Sequence, residues 1–280
     1  MKIGIIGLGL IGGSLGFDLK ALNEHRIIGV SRRGSTCERA IQRGAVDEAY
    51  TDLGAIASAD LIFICTPIGS IIPTLQQLTP QLPPTTIVTD VGSVKASIVY
   101  AAEQLWPNFV GGHPMAGTAE NGIEAALKDL FVDRAYVITP TQATPPESVS
   151  ILATIARSLK SNVHICSPEN HDRAVAWISH LPVMVSASLI SACLTESSEN
   201  ALTLAQTLAS SGFRDTSRVG GGNPELGVMM ARYNRDEVVR SLKTYQAELN
   251  TLTQLIEAEN WPELEKRLQQ TQQARPHFLQ

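Results

Sequence analysis

Short, continuous apolar runs recur through the first 166 residues and alternate with segments of helical periodicity. The runs are rich in Ile, Val, Leu and Phe and lack strict polar alternation, a pattern typical of parallel strands that helices cover on both faces. The predicted strands are Lys2–Ile6, Arg26–Val30, Asp60–Cys65, Thr86–Thr89, Phe109–Gly111, Tyr136–Ile138 and Asn162–Cys166. Strands that alternate with helices predict an α/β fold with an open, parallel, Rossmann-type sheet.

From Pro168 onward the strand pattern stops, and apolar residues recur at helical spacing. We therefore predict two domains, a Rossmann domain over residues 1–166 and an all-helical domain over residues 167–280. The longest apolar stripe of the second domain consists of Val238, Val239, Leu242, Tyr245, Leu249, Leu252 and Ile256. Such a stripe must be buried, either in the domain's own core or against a second copy of the chain. We expect a homodimer formed through the helical domain.

The bulk composition narrows the class of partner. The 280 residues are 44% hydrophobic and 18% charged, the balance of a soluble globular enzyme. A net charge of −5 disfavours nucleic acid and anionic membranes, because both select clustered Lys and Arg, and it therefore favours a small-molecule substrate. The four cysteines form neither a metal-ligand pair nor a disulfide framework, which predicts no metal site and a cytoplasmic protein. No signal peptide or membrane span is predicted, and the apolar stretch Leu181–Leu194 is expected to be a buried helix.

The first predicted strand leads directly into a glycine-rich turn with the sequence Gly7-Leu8-Gly9-Leu10-Ile11-Gly12. In a strand–turn–helix unit the first glycine permits the tight turn, the second lets a pyrophosphate approach the backbone, and the third lets helix and strand pack closely. The turn therefore predicts a dinucleotide site, and glycines that serve only the turn are the alternative. Thr66 and Pro67, which follow another strand, are also predicted to contact the cofactor.

The end of the second predicted strand indicates which dinucleotide binds. An Asp or Glu at this corner would bind the ribose 2′-hydroxyl of NAD, but the sequence is Val30-Ser31-Arg32-Arg33. Ser31 can donate a hydrogen bond to a 2′-phosphate, and Arg32 or Arg33 can supply a guanidinium. We predict NADP. The alternative is that both arginines are solvated loop residues and that either cofactor is used.

Residues that follow the strands are the candidates for chemistry, because ligands of open α/β sheets bind at the carboxyl ends of the strands. His113 is the best candidate for an acid–base group, since its ordinary pKa is near 6.5 and glycines next to it leave room for a ligand. A structural histidine is the alternative. Ser93 either hydrogen-bonds the imidazole or the substrate, or caps a helix that is predicted to begin at Val94.

Five segments in both predicted domains resemble, in order, the motifs of the prephenate/arogenate dehydrogenase family. They are Gly7–Gly12, Asp90–Lys95, Gly112–Gly117, Ser179–Pro182 and Gly212–Arg218. The resemblance spans nearly the whole chain. It implies that a cyclohexadiene with a ring hydroxyl and a ring carboxylate gives a hydride to the nicotinamide and loses carbon dioxide as the ring becomes aromatic.

The resemblance also implies roles for individual residues. His113 becomes the general base at the ring hydroxyl, with Ser93 beside it. Arg218 is expected to orient the ring carboxylate, His180 to bind near the substrate's side chain, and Asp215 to belong to the same substrate site. The structural alternatives are a buried, hydrogen-bonded His180 and an ion pair between Arg218 and Asp215.

Arogenate and prephenate differ only in whether the side chain is an amino acid or a keto acid, and we expect arogenate. The predicted NADP preference and the two-domain length, without an appended mutase or regulatory domain, resemble the arogenate-specific members. Prephenate is the first alternative. A β-hydroxyacid dehydrogenase or imine reductase of the same layout is another, although the catalytic Lys of the former has no convincing counterpart here. A catalytically silent NADP-binding protein is the alternative from a different class.

Overall fold

The computed structural model describes residues 1–118 and 120–279. The strands form one eight-stranded sheet. They are β1 Lys2–Ile6, β2 Arg26–Val30, β3 Glu48–Tyr50, β4 Leu61–Ile64, β5 Ile87–Asp90, β6 Phe109–Pro114, β7 Ala135–Thr139 and β8 Asn162–Ile165. The helices are α1 Leu10–Ala21, α2 Gly34–Gln42, α3 Ile68–Leu78, α4 Ala96–Glu103, α5 Pro146–Ser158, α6 Pro168–Val175, α7 Leu181–Cys193, α8 Glu199–Leu208, α9 Ser211–Ser217, α10 Pro224–Tyr233, α11 Arg235–Glu257 and α12 Trp261–Ala274.

The strand order is β3-β2-β1-β4-β5-β6-β7-β8, which confirms the Rossmann-type sheet. From β1 the strands are added on one side, as β2 and β3, and then on the other side of β1, beginning with β4. The strand order thus reverses between β1 and β4. In open α/β sheets a crevice forms at such a point, outside the carboxyl ends of the two strands. The glycine-rich turn follows β1 and Thr66 follows β4. The fold therefore puts both predicted cofactor segments at this crevice.

Two details of the sheet differ from the prediction. β7 pairs antiparallel with β6 and parallel with β8, so the last two strands run against the other six. A parallel crossover needs a connecting element such as a helix, whereas the described part of the β6–β7 connection contains only the short 3-10 turn Ile123–Ala125. The strand β3 was not predicted, because three residues at the edge of the sheet give no apolar run.

The sheet is buried on both faces. Successive residues of β4 point to opposite sides, so Leu61 and Phe63 pack in one core with α1 and α5, whereas Ile62 and Ile64 pack in the other with α3 and α4. This two-sided burial explains why the strands appear in the sequence as continuous apolar runs.

The chain divides into two compact units, Met1–Asn234 and Arg235–Gln280. The first contains the sheet and α1–α10, and the second contains α11 and α12. The part of the chain that the structure describes after Ile165 has no strand, as the periodicity indicates. The boundary predicted at residue 166 follows the last strand but lies inside the first compact unit, and it stays a prediction.

Much of the apolar surface of the helical region is exposed in the single chain. On α11, Val238 is buried, but Tyr245, Leu249 and Ile256 are 38%, 51% and 52% exposed. The expectation of a buried helix over Leu181–Leu194 is wrong for one chain, since only Leu181 and Ser186 of α7 are buried. The stretch Pro168–Cys193 is long and apolar enough to cross a membrane, with a mean hydropathy of 1.5. One such helix is weak evidence for a membrane span, because helices of soluble proteins can have the same length and composition. An uncovered apolar surface of this kind also fits contact with another protein chain.

Candidate active site

The glycine-rich turn has the geometry of a dinucleotide-binding loop. Gly7 has a φ of +93°, and a Cβ there would lie 2.6 Å from the carbonyl oxygen of Cys65. A Cβ on Gly12 would lie 2.1 Å from the carbonyl oxygen of Gly7. By contrast, a Cβ on Gly9 would meet nothing within 4 Å, and Gly9 occupies the N-cap position of α1 without a side-chain cap. The turn thus leaves an open approach to the positive end of α1, which fits a pyrophosphate.

Two other loops complete the surface that a dinucleotide would need. After β4, the hydroxyl oxygen of Thr66 is buried and has no hydrogen-bond partner among the described residues, and Pro67 occupies the N-cap position of α3 without a side-chain cap. After β2, Ser31 is half-buried while Arg32 and Arg33 are exposed. The next helix, α2, has no side-chain cap and no acidic residue in its first turn. The corner beyond β2 is therefore positive and offers hydrogen-bond donors.

His113 lies on β6 and is only 9% exposed. Its Nδ1 is 2.8 Å from Nε2 of His171, and Nδ1 of His171 is 2.8 Å from Oδ1 of Asp172. Burial holds the pKa of His113 well below its usual value, and the nearby His171, Lys95 and His180 lower it further. His113 is therefore neutral near pH 7, the state that a general base requires.

The carboxylate of Asp172 anchors this chain of side chains. Its Oδ1 accepts a hydrogen bond from the backbone N–H of Lys95 at 2.7 Å, and its Oδ2 accepts one from that of Ala96 at 2.9 Å. Asp172 thus satisfies the first amides of α4 from a different helix. The suggestion that Ser93 caps a helix beginning at Val94 is wrong, because α4 begins at Ala96 and Ser93 does not cap it.

Ser93 instead lies in the loop between β5 and α4 with its hydroxyl oxygen buried. No partner for this oxygen occurs in the described parts of the chain. Buried hydroxyls are normally hydrogen-bonded, so an unpartnered hydroxyl just beyond the carboxyl end of β5 points to a ligand.

A buried ion pair, Lys95 with Asp90, contacts the backbone of Gly112, the residue before His113. Nζ of Lys95 contacts Oδ2 of Asp90 and donates to the carbonyl oxygen of Gly112 at 2.7 Å, and both side chains are fully buried. Asp90 also accepts the backbone N–H groups of Gly92 and Gly112, at 2.9 and 3.2 Å. The pair ties the end of β5 to the backbone that immediately precedes His113.

His180 is fully buried at the end of the π-helical turn Ala176–His180. Its Nδ1 lies 3.1 Å from Nδ2 of Asn234, which also donates to the carbonyl oxygen of Asp172 at 2.8 Å. Burial lowers the pKa of His180 to about 4, although Asp172 acts in the opposite direction. The other nitrogen, Nε2, is buried and has no partner within the described residues.

The predicted base His113 and the three predicted substrate-binding residues therefore form two groups. His113 and His180 are buried and connected through the Asp172 network, whereas Arg218 and Asp215 are exposed in the single chain. The ion pair suggested between Arg218 and Asp215 is wrong, since Asp215 pairs with Arg214 at 3.0 Å.

Three residues of the hydrogen-bonded network were not predicted from the sequence, namely His171, Asp172 and Asn234. A signal was present for the first two: the buried residues of α6 are Pro168, His171, Asp172 and Val175, spaced as one helical face. A His–Asp pair on a buried face needs internal partners. Asn234 follows α10 and carries no comparable signal.

Comparison with known proteins gives matches to two family models. A family model described as the nucleotide-binding domain of prephenate dehydrogenase matches residues 15–165, and one described as its dimerization domain matches residues 167–270. The prephenate dehydrogenase of Bacillus subtilis (strain 168) is 32% identical over 262 residues, which are 91% of this chain and 70% of that protein.

Two solved structures are similar over almost their full length. The arogenate dehydrogenase of Synechocystis is 55% identical, with a TM-score of 0.91, and the match covers 99% of this chain and 100% of that one. The prephenate dehydrogenase from A. aeolicus, in complex with hydroxyphenyl propionate and NAD+, is 27% identical with a TM-score of 0.93, and that match covers 99% and 98% of the two chains.

Proposed function

Because the chain belongs to the prephenate dehydrogenase family of oxidoreductases, we propose that it converts arogenate to tyrosine and carbon dioxide while NADP+ is reduced to NADPH. The observation that supports arogenate most strongly is the 55% identity to the Synechocystis arogenate dehydrogenase, against 27–32% for the two prephenate dehydrogenases compared above. Prephenate, which would give 4-hydroxyphenylpyruvate, is the alternative substrate.

His113 is the proposed general base. The chemistry that NADP+ would supply when bound is that of a hydride acceptor for C4 of the ring. His113 takes the proton of the C4 hydroxyl, the bond between C1 and the carboxylate carbon breaks with loss of carbon dioxide, and the proton returns to the phenol oxygen. The buried, neutral imidazole and the orphan hydroxyl of Ser93 support these roles, with Ser93 hydrogen-bonding the reacting oxygen or the imidazole.

Substrate and cofactor contacts are proposed for the remaining predicted residues. His180 would bind near the side chain of the substrate, since its buried Nε2 has no partner among the described residues. Arg218, exposed in one chain, would orient the ring carboxylate, and Asp215, exposed as well, would belong to the same substrate site. An ion pair that stabilised this carboxylate much more in the ground state than in the transition state would oppose decarboxylation. The proposed role of Arg218 is therefore to orient the carboxylate and not to bind it tightly.

The proposed preference for NADP rests on the corner beyond β2. Ser31, Arg32 and Arg33 place a hydroxyl and two guanidinium groups there, and the first turn of α2 contains no acid that would repel a 2′-phosphate. The rest of the dinucleotide would lie along Gly7–Gly12, with Thr66 and Pro67 as further contacts.

We also propose a cytoplasmic homodimer. The exposed stripe of α11 and the match to a dimerization-domain model support self-association through the helical region. All four cysteines are free, which fits a reducing compartment.

The test is a side-by-side assay of arogenate and prephenate, each with NADP and NAD. We expect the highest kcat/KM for arogenate with NADP. A preference for prephenate would overturn the substrate, and a preference for NAD would overturn the cofactor. His113→Asn should abolish turnover while NADP affinity is retained, and His164→Asn, a matched change at an exposed position of β8, should leave turnover unchanged. If His113→Asn turned over substrate at the rate of the parent protein, His113 would not be the general base.

A further inference from the structure

We propose that Asp172 sets the tautomers of both buried histidines, so that His113 presents a lone pair at Nε2 while His180 presents an N–H at Nε2. The kinetic consequences rest on the proposed function, whereas the tautomers are properties of the protein alone. Asp172 is a positioning residue in this proposal, since it acts through His171 on one side and Asn234 on the other.

The first side follows from what a carboxylate can do. Oδ1 of Asp172 already accepts the backbone N–H of Lys95, and an ionised carboxylate only accepts hydrogen bonds. Nδ1 of His171, 2.8 Å from the same oxygen, must therefore carry a proton and donate it. In a neutral His171 the other nitrogen, Nε2, is then an acceptor.

That acceptor determines the state of His113. Nε2 of His171 lies 2.8 Å from Nδ1 of His113, so Nδ1 of His113 carries the proton and donates to it. Nε2 of a neutral His113 consequently has a lone pair, as a general base needs. When His113 takes up a proton, the resulting positive charge is stabilised through His171 by the carboxylate of Asp172.

The second side uses the main chain of Asp172. Its carbonyl oxygen can only accept, which assigns Nδ2 of Asn234, at 2.8 Å, as the donor. The same amide nitrogen has a second hydrogen and lies 3.1 Å from Nδ1 of His180. Nδ1 of His180 therefore accepts, and its proton is on Nε2, the buried atom that has no partner among the described residues. A donor at this position fits a carboxylate or carbonyl oxygen of the substrate's side chain.

The two histidines thus need opposite tautomers, and one residue supplies both. A substitution of Asp172 itself would also remove the hydrogen bonds to the first amides of α4, so a loss of activity there would not separate positioning from folding. The informative substitutions are at His171 and Asn234, each of which transmits only one of the two effects.

The direct test is ¹⁵N–¹H spectroscopy of the imidazole nitrogens in the ligand-free protein, assigned with His113→Asn and His180→Asn. We expect a protonated Nδ1 and an unprotonated Nε2 for His113, and the reverse for His180. His171→Leu should abolish the Nδ1 preference of His113 and leave His180 unchanged, and Asn234→Ala should do the converse. Protonated Nε2 on His113 in the parent protein would overturn the proposal.

The kinetic test separates the two branches. His171→Leu should lower kcat about 100-fold and leave KM for arogenate within about two-fold, since only the base is affected. His171→Gln, which keeps an acceptor for His113, should restore most of the rate. Asn234→Ala should mainly raise KM for arogenate. The matched controls are His164→Leu and Asn162→Ala, both at exposed positions of β8.

The outcomes distinguish this proposal from the proposed function. Equal kcat values for His171→Leu and His171→Gln, or an unchanged KM in Asn234→Ala, would overturn the positioning roles. If the parent protein turned over neither arogenate nor prephenate, the proposed function would fail, and the spectra would still decide the tautomers.

Discussion

The buried ion pair between Lys95 and Asp90 offers a direct test of how the site is held together. Lys95→Met removes the ammonium group and keeps a similar unbranched chain. Asp90 would retain the backbone donors of Gly92 and Gly112 but would lose its only counter-charge in the described structure. Both side chains are fully buried, so water cannot replace the lost partner.

The expected loss follows from this burial. Removing one member of a buried, hydrogen-bonded ion pair costs about 3–5 kcal/mol, because an unpaired charge remains in the interior. The carbonyl oxygen of Gly112 also loses its contact with Nζ of Lys95. The double variant Asp90→Asn/Lys95→Met removes both charges. We expect its loss of stability to be about 2 kcal/mol smaller than the sum of the losses in the two single variants.

The assay is urea-induced unfolding at pH 7.5, followed by circular dichroism, for the parent, both single variants and the double variant. Lys160→Met is the control, because Lys160 and its neighbour Asp129 are each 72% exposed and 3.9 Å apart. An exposed pair of this kind contributes at most about 1 kcal/mol. A loss below about 1 kcal/mol in Lys95→Met, or additive effects in the double variant, would refute the reasoning.

Three further predictions concern pH, the cofactor and assembly. Burial lowers the pKa of His180 from 6.5 to about 4, so its contribution to stability is complete above pH 6.5 and is lost as pH falls towards 4. Between pH 7 and pH 5 we expect His180 to account for a loss of about 2 kcal/mol in the unfolding free energy, so the total loss should be smaller by about that amount in His180→Gln; parallel profiles would contradict it. Ser31→Asp should lower kcat/KM for NADP about 100-fold and leave that for NAD within about three-fold, whereas equal losses would contradict a 2′-phosphate site. Leu249→Asp should convert the dimer to a monomer in light scattering at micromolar concentration, whereas Lys243→Asp, at another exposed position of α11, should leave the dimer intact. A Leu249→Asp variant that remained dimeric would argue against the α11 stripe as the dimer contact.

The parts of the fold that the sequence predicts are those with strong local signals. Two-sided burial makes β1, β2 and β4 continuous apolar runs, and the glycines after β1 are needed because a Cβ on Gly7 or Gly12 would collide with backbone. The predicted direction of β7 was wrong, because the direction of a strand depends on how the preceding connection crosses the sheet and not on the strand's own residues.

The site was predicted less completely for a similar reason. His113 and Ser93 follow or end strands, where position alone makes them candidates. His171 and Asp172 acquire their roles by contact with residues far away in the chain, and the hydrogen bond from Lys95 to Asp172 joins positions 77 residues apart. A single sequence does not display such pairings. It also gave no sign that α4 would begin two residues after Val94, since the group that satisfies its first amides comes from another helix.

The position of that group limits how far the protein can be divided. Asp172 lies beyond residue 165, where the match to the nucleotide-binding domain model ends. A fragment that stopped there would keep the glycine turn and every strand, yet α4 would lose the acceptors of its first amides and His113 would lose its neighbour His171. The nucleotide-binding half is thus not a self-sufficient module. The edge that carries His113 is completed only when the segment that follows β8 folds back onto it, so recombination between relatives should keep α4 and α6 from the same parent.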